Sequence, residues 1–143
     1  MWRIVGKAIL TVVKQDIDTV AGNIQLCAGQ KAGAEAAIHA MAMRFMFNES
    51  DAEAVLLVDA RNAFNRLNRQ VALRNILALC PSIVTALVNT YRRPTVLFVD
   101  GQTLYSREGT TQGHPLSMAI YALATVQLII RSRPATWGIM VCG

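Results

Sequence analysis

A chain of 143 residues with a formal net charge of +5 fits one ordinary domain. Hydrophobic residues reach 53% and charged residues only 16%, against roughly 25% charged in typical soluble domains, so part of the apolar surface is expected to meet more protein. Neither a membrane span nor an export signal is expected. The longest apolar stretch, 116–130, is interrupted by Ser117, Thr125 and Gln127 and falls short of the ~20 residues a spanning helix needs; the opening MWRIVGKAIL lacks an unbroken apolar core and cleavage site.

In chain order, Val5, Ala8, Ile9, Val12 and Val13 recur at helical spacing and predict a first helix to about Asp16. A loop with Gly22, Gly29 and Gly33 follows. AEAAIHAMAMRFMF then predicts a second helix, with Met41, Met43 and Met46 as core gap-fillers and His39 without chemistry. Val55 to Val58 is a short β-rich run of the kind buried on both faces in central strands. A helix over 69–79 is stopped by Pro81, and Ser82 is placed to cap another running to about Tyr91. TVLFV, DGQ and TLYS spell a hairpin, because Asp-Gly suits a tight turn. REGTTQGHP is a polar loop, and from Leu116 the chain is a helix apolar on nearly every face, which predicts burial. The order describes an α+β fold, a sheet layer with helices packed on it.

Three cysteines, Cys27, Cys80 and Cys142, lie far apart and odd in number, without CxxC spacing. Free thiols in a reducing, intracellular compartment, cytoplasm or nucleus, are the expectation. Charge is divided unevenly. Up to Asp59 five basic residues face seven acidic ones, whereas after it nine arginines face only Asp100 and Glu108. That asymmetry points the second half at a polyanion, and the exclusive use of arginine favours geometry-specific phosphate contacts, the alternative being arginines scattered over solvated faces.

The four aliphatic residues Val55 to Val58 run directly into Asp59. A buried carboxylate costs several kcal/mol unless a cation or hydrogen bond compensates it. Aspartyl phosphatases, receiver domains and nucleotide polymerases all end a core strand on a carboxylate that holds Mg²⁺. The phosphatase pattern wants a second carboxylate two positions on, where this chain has Arg61.

VLLVDARNAFNRLNR followed by EGTTQGHPLSMAIYALA resembles the first two palm motifs of a reverse transcriptase, most nearly the domain of non-LTR, LINE-like retroelements. QLCAGQKAGAEAAIHAM resembles the segment preceding them in that family, so the likeness covers nearly the whole chain in order. The resemblance implies a single partial domain over 1–143, with fingers-side helices at about 1–50 and a partial polymerase palm at about 51–143, its motifs at 54–69 and 108–124. It implies Asp59 as catalytic Mg²⁺ or Mn²⁺ ligand, with the backbone carbonyl of Ala60 as a second oxygen. Asn62 and Ala63 fall where backbone amides approach the triphosphate. Phe64 matches the aromatic beneath the incoming sugar, its alternative being a core aromatic. Gln112 and Gly113 match the nucleotide and template contacts, and Pro115 falls where it can start the next helix. Arg61, Arg66, Arg69, Arg92 and Arg93 are candidate phosphate contacts. His114 departs from the acidic or small residue of the family, and no role is assigned to it.

The implied partners are RNA template, DNA primer and deoxynucleotides, together with the palm and thumb segments of a longer polyprotein. The family's third palm motif supplies an Asp-Asp pair, and this sequence has no Asp-Asp and no acidic residue after Glu108. The expectation is therefore a fragment resembling an RNA-directed DNA polymerase that does not polymerise alone. A non-catalytic nucleic-acid-binding remnant is the alternative, and a decayed reading frame without a stable fold is a third.

Overall fold

The computed structural model describes residues 2–22, 24–26, 31–47 and 60–132. The strand expected at Val55 to Val58, its terminal Asp59, and Cys27 and Cys142 lie outside the described residues. The described part is α+β: helices α1 (Trp2–Ala21), α2 (Gly33–Phe47), α3 (Ala63–Arg66), α4 (Arg69–Leu79), α5 (Val84–Tyr91) and α6 (Ser117–Ser132), with strands β1 (Thr95–Val99) and β2 (Gln102–Ser106) between α5 and α6.

Local chemistry sets the boundaries of α4. The Asn68 side chain accepts from the Val71 N–H at 3.0 Å, satisfying one orphan donor of the first turn. At the other end Cys80 N–H closes on Ile76 O, and Pro81 opens a single 3₁₀ turn, Pro81–Ile83. Ser82 does not cap α5. Ile83 occupies that position without a side-chain cap, and Ser82 Oγ donates instead to Asp16 Oδ2 at 2.6 Å, tying α1 to the α4–α5 junction.

The hairpin forms as its turn chemistry dictates. Asp100 (φ 49°) and Gly101 (φ 71°) are both left-handed, as a type I′ turn requires, and β1 pairs antiparallel with β2 from Thr95 opposite Ser106 to Val99 opposite Gln102. Helix α1 runs five residues past its expected end at Asp16, to Ala21, where left-handed Gly22 donates to Asp18 O. Pro115 does not begin α6; a turn closed by Ser117 N–H on His114 O intervenes.

The core joins α1, α4, α5 and α6. Val13 and Ile17 of α1, Ala72 and Ile76 of α4, Ile83, Leu87 and Tyr91, and Ala119, Ile120 and Leu123 of α6 bury one another. Two small residues, Ala72 and Ala119, let α4 and α6 approach, and Asn75 Nδ2 donates to Ala124 O at 2.9 Å across that interface. Gln25 donates to Thr125 Oγ1 at 3.1 Å and fastens the loop after α1 to α6.

Three expectations about burial are corrected. The buried stripe of α1 runs through Gly6, Val13, Ile17 and Ala21, leaving Val5 and Val12 exposed, because helical spacing allows two neighbouring stripes and the side chains of α4 to α6 select one. Met43 and Met46 are exposed rather than core gap-fillers, since α2 buries only Gly33 and Ala37 against the described residues. Helix α6 is buried along most of its faces but presents Leu128 and Ile130 to solvent.

Ile76→Ala is expected to cost about 2–5 kcal/mol, because Ile76 is fully enclosed. Leu128→Ala at an exposed site should stay within about 0.5 kcal/mol. Urea unfolding of both variants checks the contrast.

Candidate functional site

The residues that follow Asp59 form a short, tight unit. Asn62 takes a left-handed conformation (φ 55°, ψ 44°), which asparagine tolerates better than most side chains, and its Oδ1 accepts from Asn65 Nδ2 at 2.6 Å. One turn of helix, α3, follows, with Arg66 N–H bonded to Asn62 O. Ala60, Arg61, Asn62 and Arg66 are exposed, while Ala63 and Phe64 are half-buried. The Phe64 ring lies 5.1 Å from that of Tyr121 on α6, tilted by 43°. Phe64 thus packs one side against α6 while staying half-buried and outside the buried cluster.

This unit meets the loop after β2 backbone to backbone. Thr110 N–H donates to Phe64 O at 2.7 Å, and Gly109 N–H donates to Leu67 O at 2.8 Å. Gly109 has φ +74°, and a β-carbon there would fall 2.4 to 2.6 Å from the backbone of Asn65. Only glycine fits, for conformation and for space alike. The sequence signal was present as Glu108-Gly109-Thr110, but its chemistry depends on a neighbour over forty residues away.

Arg69 closes the same junction. Its Nε donates to Gly109 O at 2.7 Å, its two terminal nitrogens donate to Ser106 O at 2.9 Å and Ser106 Oγ at 3.1 Å, and its guanidinium carbon sits 4.9 Å from the centre of the Tyr91 ring. Burial pulls its pKa down, partly offset by Tyr91 and Glu108. Arg69, a candidate phosphate contact from the sequence, thus commits three of its five N–H donors to carbonyls and a hydroxyl of its own chain. Arg61, Arg66, Arg92 and Arg93 remain exposed.

Tyr91 continues the connection. Its Oη accepts from Thr111 N–H at 3.1 Å, and Ser117 Oγ donates to Thr111 O, which fixes the loop to the start of α6. Beyond that anchor Gln112 and Gly113 form an exposed turn, with Gly113 at φ +77° and nothing within 4 Å of where a β-carbon would stand. Positive φ explains that glycine, and the space above it is open. Thr110 is buried, and its hydroxyl lacks a hydrogen-bond partner among the described residues.

His114 borders a pocket of about 240 Å³ between α1 and α5, lined also by Gly6, Ile9, Ala86 and Thr90. Its Nδ1 accepts from Leu116 N–H at 3.3 Å, which leaves the proton of the neutral ring on Nε2. A β-carbon on Gly6 would stand 3.1 Å from His114 Cε1, so the ring and α1 are in close register. Burial pushes the pKa of His114 below the usual 6.5.

The structure therefore brings Phe64 and the loop leading to Gln112 and Gly113 into one body, with Ala60, Arg61 and Asn62 exposed, Ala63 half-buried, and Arg92 and Arg93 following Tyr91 in the chain. Among the described residues no three of His, Cys, Asp and Glu gather where a metal could sit. Asp16 accepts from Ser82, Asp18 pairs with Lys14, Glu35 is exposed in the first turn of α2, Asp100 is in the hairpin turn, and Glu108 is exposed in the loop. The described carboxylates by themselves do not fit a Mg²⁺ site. Among the described residues no helix is long and apolar enough to cross a membrane, and Cys80 is a buried free thiol. The chain matches no family model, no curated protein and no solved structure.

Gly109→Ala is expected to destabilise by about 3 kcal/mol or more, from left-handed strain and backbone overlap together. Its neighbour should behave oppositely: Thr110→Val removes an unsatisfied hydroxyl at nearly constant volume and is expected to be neutral or stabilising by up to about 1 kcal/mol. Denaturant midpoints of the two variants measure the difference in sign. For His114, the neutral ring is favoured on folding, so its contribution to stability is full above the unfolded value near pH 6.5 and is lost as pH falls through the lower folded value. His114→Gln should reduce the loss of urea stability between the two sides of that window.

Proposed function

We propose that the chain is a palm-and-fingers piece of an RNA-directed DNA polymerase of the non-LTR retroelement type, which does not extend a primer by itself. The observation that carries the reading is the pairing of its two motifs. Segments 60–69 and 106–117, separated by some forty residues of helices and hairpin, are bonded through Phe64 O to Thr110 N–H and Leu67 O to Gly109 N–H, with Arg69 across the join. They overlap the stretches 54–69 and 108–124, whose residue order resembles the first two palm motifs. A nucleotide site drawing Asn62, Ala63 and Phe64 from one segment and Gln112 and Gly113 from the other would need such a junction.

In this reading Asp59 and the Ala60 carbonyl hold Mg²⁺ or Mn²⁺. The metal would stabilise the attacking 3′-oxygen and the leaving pyrophosphate, the chemistry on which nucleotidyl transfer depends. The family's further carboxylates have no counterpart in these residues, because the sequence has no Asp-Asp pair and nothing acidic after Glu108. Inactivity of the chain alone follows. RNA template, DNA primer and deoxynucleotide are the partners this reading names, and the exposed apolar surface is where the remaining palm and thumb would pack.

A second reading, a nucleic-acid-binding remnant without chemistry, is favoured by charge. After Asp59 the cations are all arginine, and Arg61, Arg66, Arg92, Arg93 and Arg107 are exposed.

Primer extension on an RNA template with Mg²⁺ or Mn²⁺ is expected to give no incorporation by this chain, and robust incorporation refutes the proposed inactivity. Asp59→Asn is expected to abolish metal-dependent deoxynucleotide binding, followed by equilibrium dialysis, while leaving salt-sensitive RNA affinity unchanged. An unmodified chain with no metal-dependent nucleotide affinity would support the remnant instead.

A further inference from the structure

The β1–β2 hairpin has no place in the junction beyond its root. A two-stranded ribbon is marginal in water unless it packs on something, yet every residue of β1 and all of β2 except Ser106 are exposed. The register sorts its side chains. Val96 faces Tyr105 and Phe98 faces Thr103, so Val96, Phe98, Thr103 and Tyr105 share one face, with Phe98 and Tyr105 as diagonal neighbours. They are the most exposed of the ribbon's large hydrophobic residues, at 79% and 59%.

Charge is arranged along its length. Arg92 and Arg93 precede β1 and Arg107 follows β2, and because Thr95 pairs with Ser106 all three stand at the root. Glu108 is exposed beside them, and Asp100 is at the tip, leaving the root net positive. Arg69, already bonded to Ser106, braces the root without using these three side chains.

We propose that this hairpin is a binding surface for single-stranded nucleic acid, with bases stacked on Phe98 and Tyr105 and phosphates held by Arg92, Arg93 and Arg107. Aromatic faces accept any base, and a cationic margin tracks the backbone, which is the combination sequence-tolerant strand binding uses. Guanidinium groups favour phosphate through paired donors. A lipid bilayer fits less well, because insertion would lead with the Asp100 carboxylate at the tip. Only the choice of an RNA template as the natural strand rests on the polymerase reading.

The test is anisotropy of the full chain with a fluorescein-labelled oligouridylate of about 12 nucleotides, within the span such sites occupy. Phe98→Ala and Tyr105→Ala are each expected to weaken binding by about five-fold or more, the lower end of base-stacking contributions. Arg92→Ala and Arg93→Ala should each lower the slope of log affinity against log salt by about 0.7. Phe98→Trp retains a stacking ring, so it should bind like the parent chain and lose tryptophan emission when the oligonucleotide is added; it serves where an alanine variant fails to fold. Binding indifferent to Phe98 and Tyr105, with no quenching, overturns the hairpin site and leaves the polymerase reading standing. Absence of oligonucleotide binding by the parent chain overturns both. A Phe98→Trp response to vesicles of equal phosphatidylcholine and phosphatidylglycerol, without one to the oligonucleotide, assigns the surface to a membrane and overturns the proposal.

Discussion

The architecture around the candidate site depends on one close approach, the backbone of Gly109 against that of Asn65, where no β-carbon can be accommodated. Two backbone hydrogen bonds flank it, from Gly109 to Leu67 and from Thr110 to Phe64. Arg69 can reach Gly109 O and Ser106 O together only because the two segments are already this near. The same guanidinium stacks on Tyr91, which holds Thr111, which in turn holds Ser117 at the beginning of α6. A glycine thus fixes the relation between a one-turn helix, the root of a hairpin and the end of a core helix.

How much of this could be read from the sequence depends on how far apart the interacting groups are. The bounds of α4 were legible because its signals are local: Asn68 bonds Val71, three residues away, and Pro81 stops the continuation. The hairpin was legible because Asp100 and Gly101 adopt the left-handed pair that its turn needs. Ser82 was misread for the complementary reason. It has the chemistry of a cap, but Asp16, sixty-six residues earlier, competes for its hydroxyl. The bracing role of Arg69 was not legible for the same reason, since an arginine in a basic segment gives no sign that two carbonyls some forty residues onward will engage it. Periodicity established α1 and α2 as helices but could not select which stripe is covered, so Val12, Met43 and Met46 fell on the wrong side. The strand and carboxylate that first draw attention to the site lie outside the described residues, so Asp59 rests on the sequence alone.

The composition had already indicated more apolar surface than so small a body can hide. The structure locates it: the outward side of α2, with Ile38, Phe45 and Phe47, and both faces of the hairpin, including Leu97, Val99 and Leu104. The buried groups from α1, α4, α5 and α6 form a single cluster distinct from these surfaces. Burial among the described residues is therefore uneven, dense in the cluster drawn from α1, α4, α5 and α6 and sparse on α2 and the hairpin.

The contact of Gly109 with Asn65 also has a consequence in time. It closes a long loop containing α4, α5 and the hairpin, each of which can form from near-neighbour interactions on microsecond scales or faster. Closing such a loop loses chain entropy before its few bonds are gained, and contacts of high sequence separation are the slow ones. A junction of that span is expected to close after the helices and ribbon it joins. To the extent that it is absent from the folding transition state, Gly109 bears on how long the two motif segments stay together rather than on how fast they first meet.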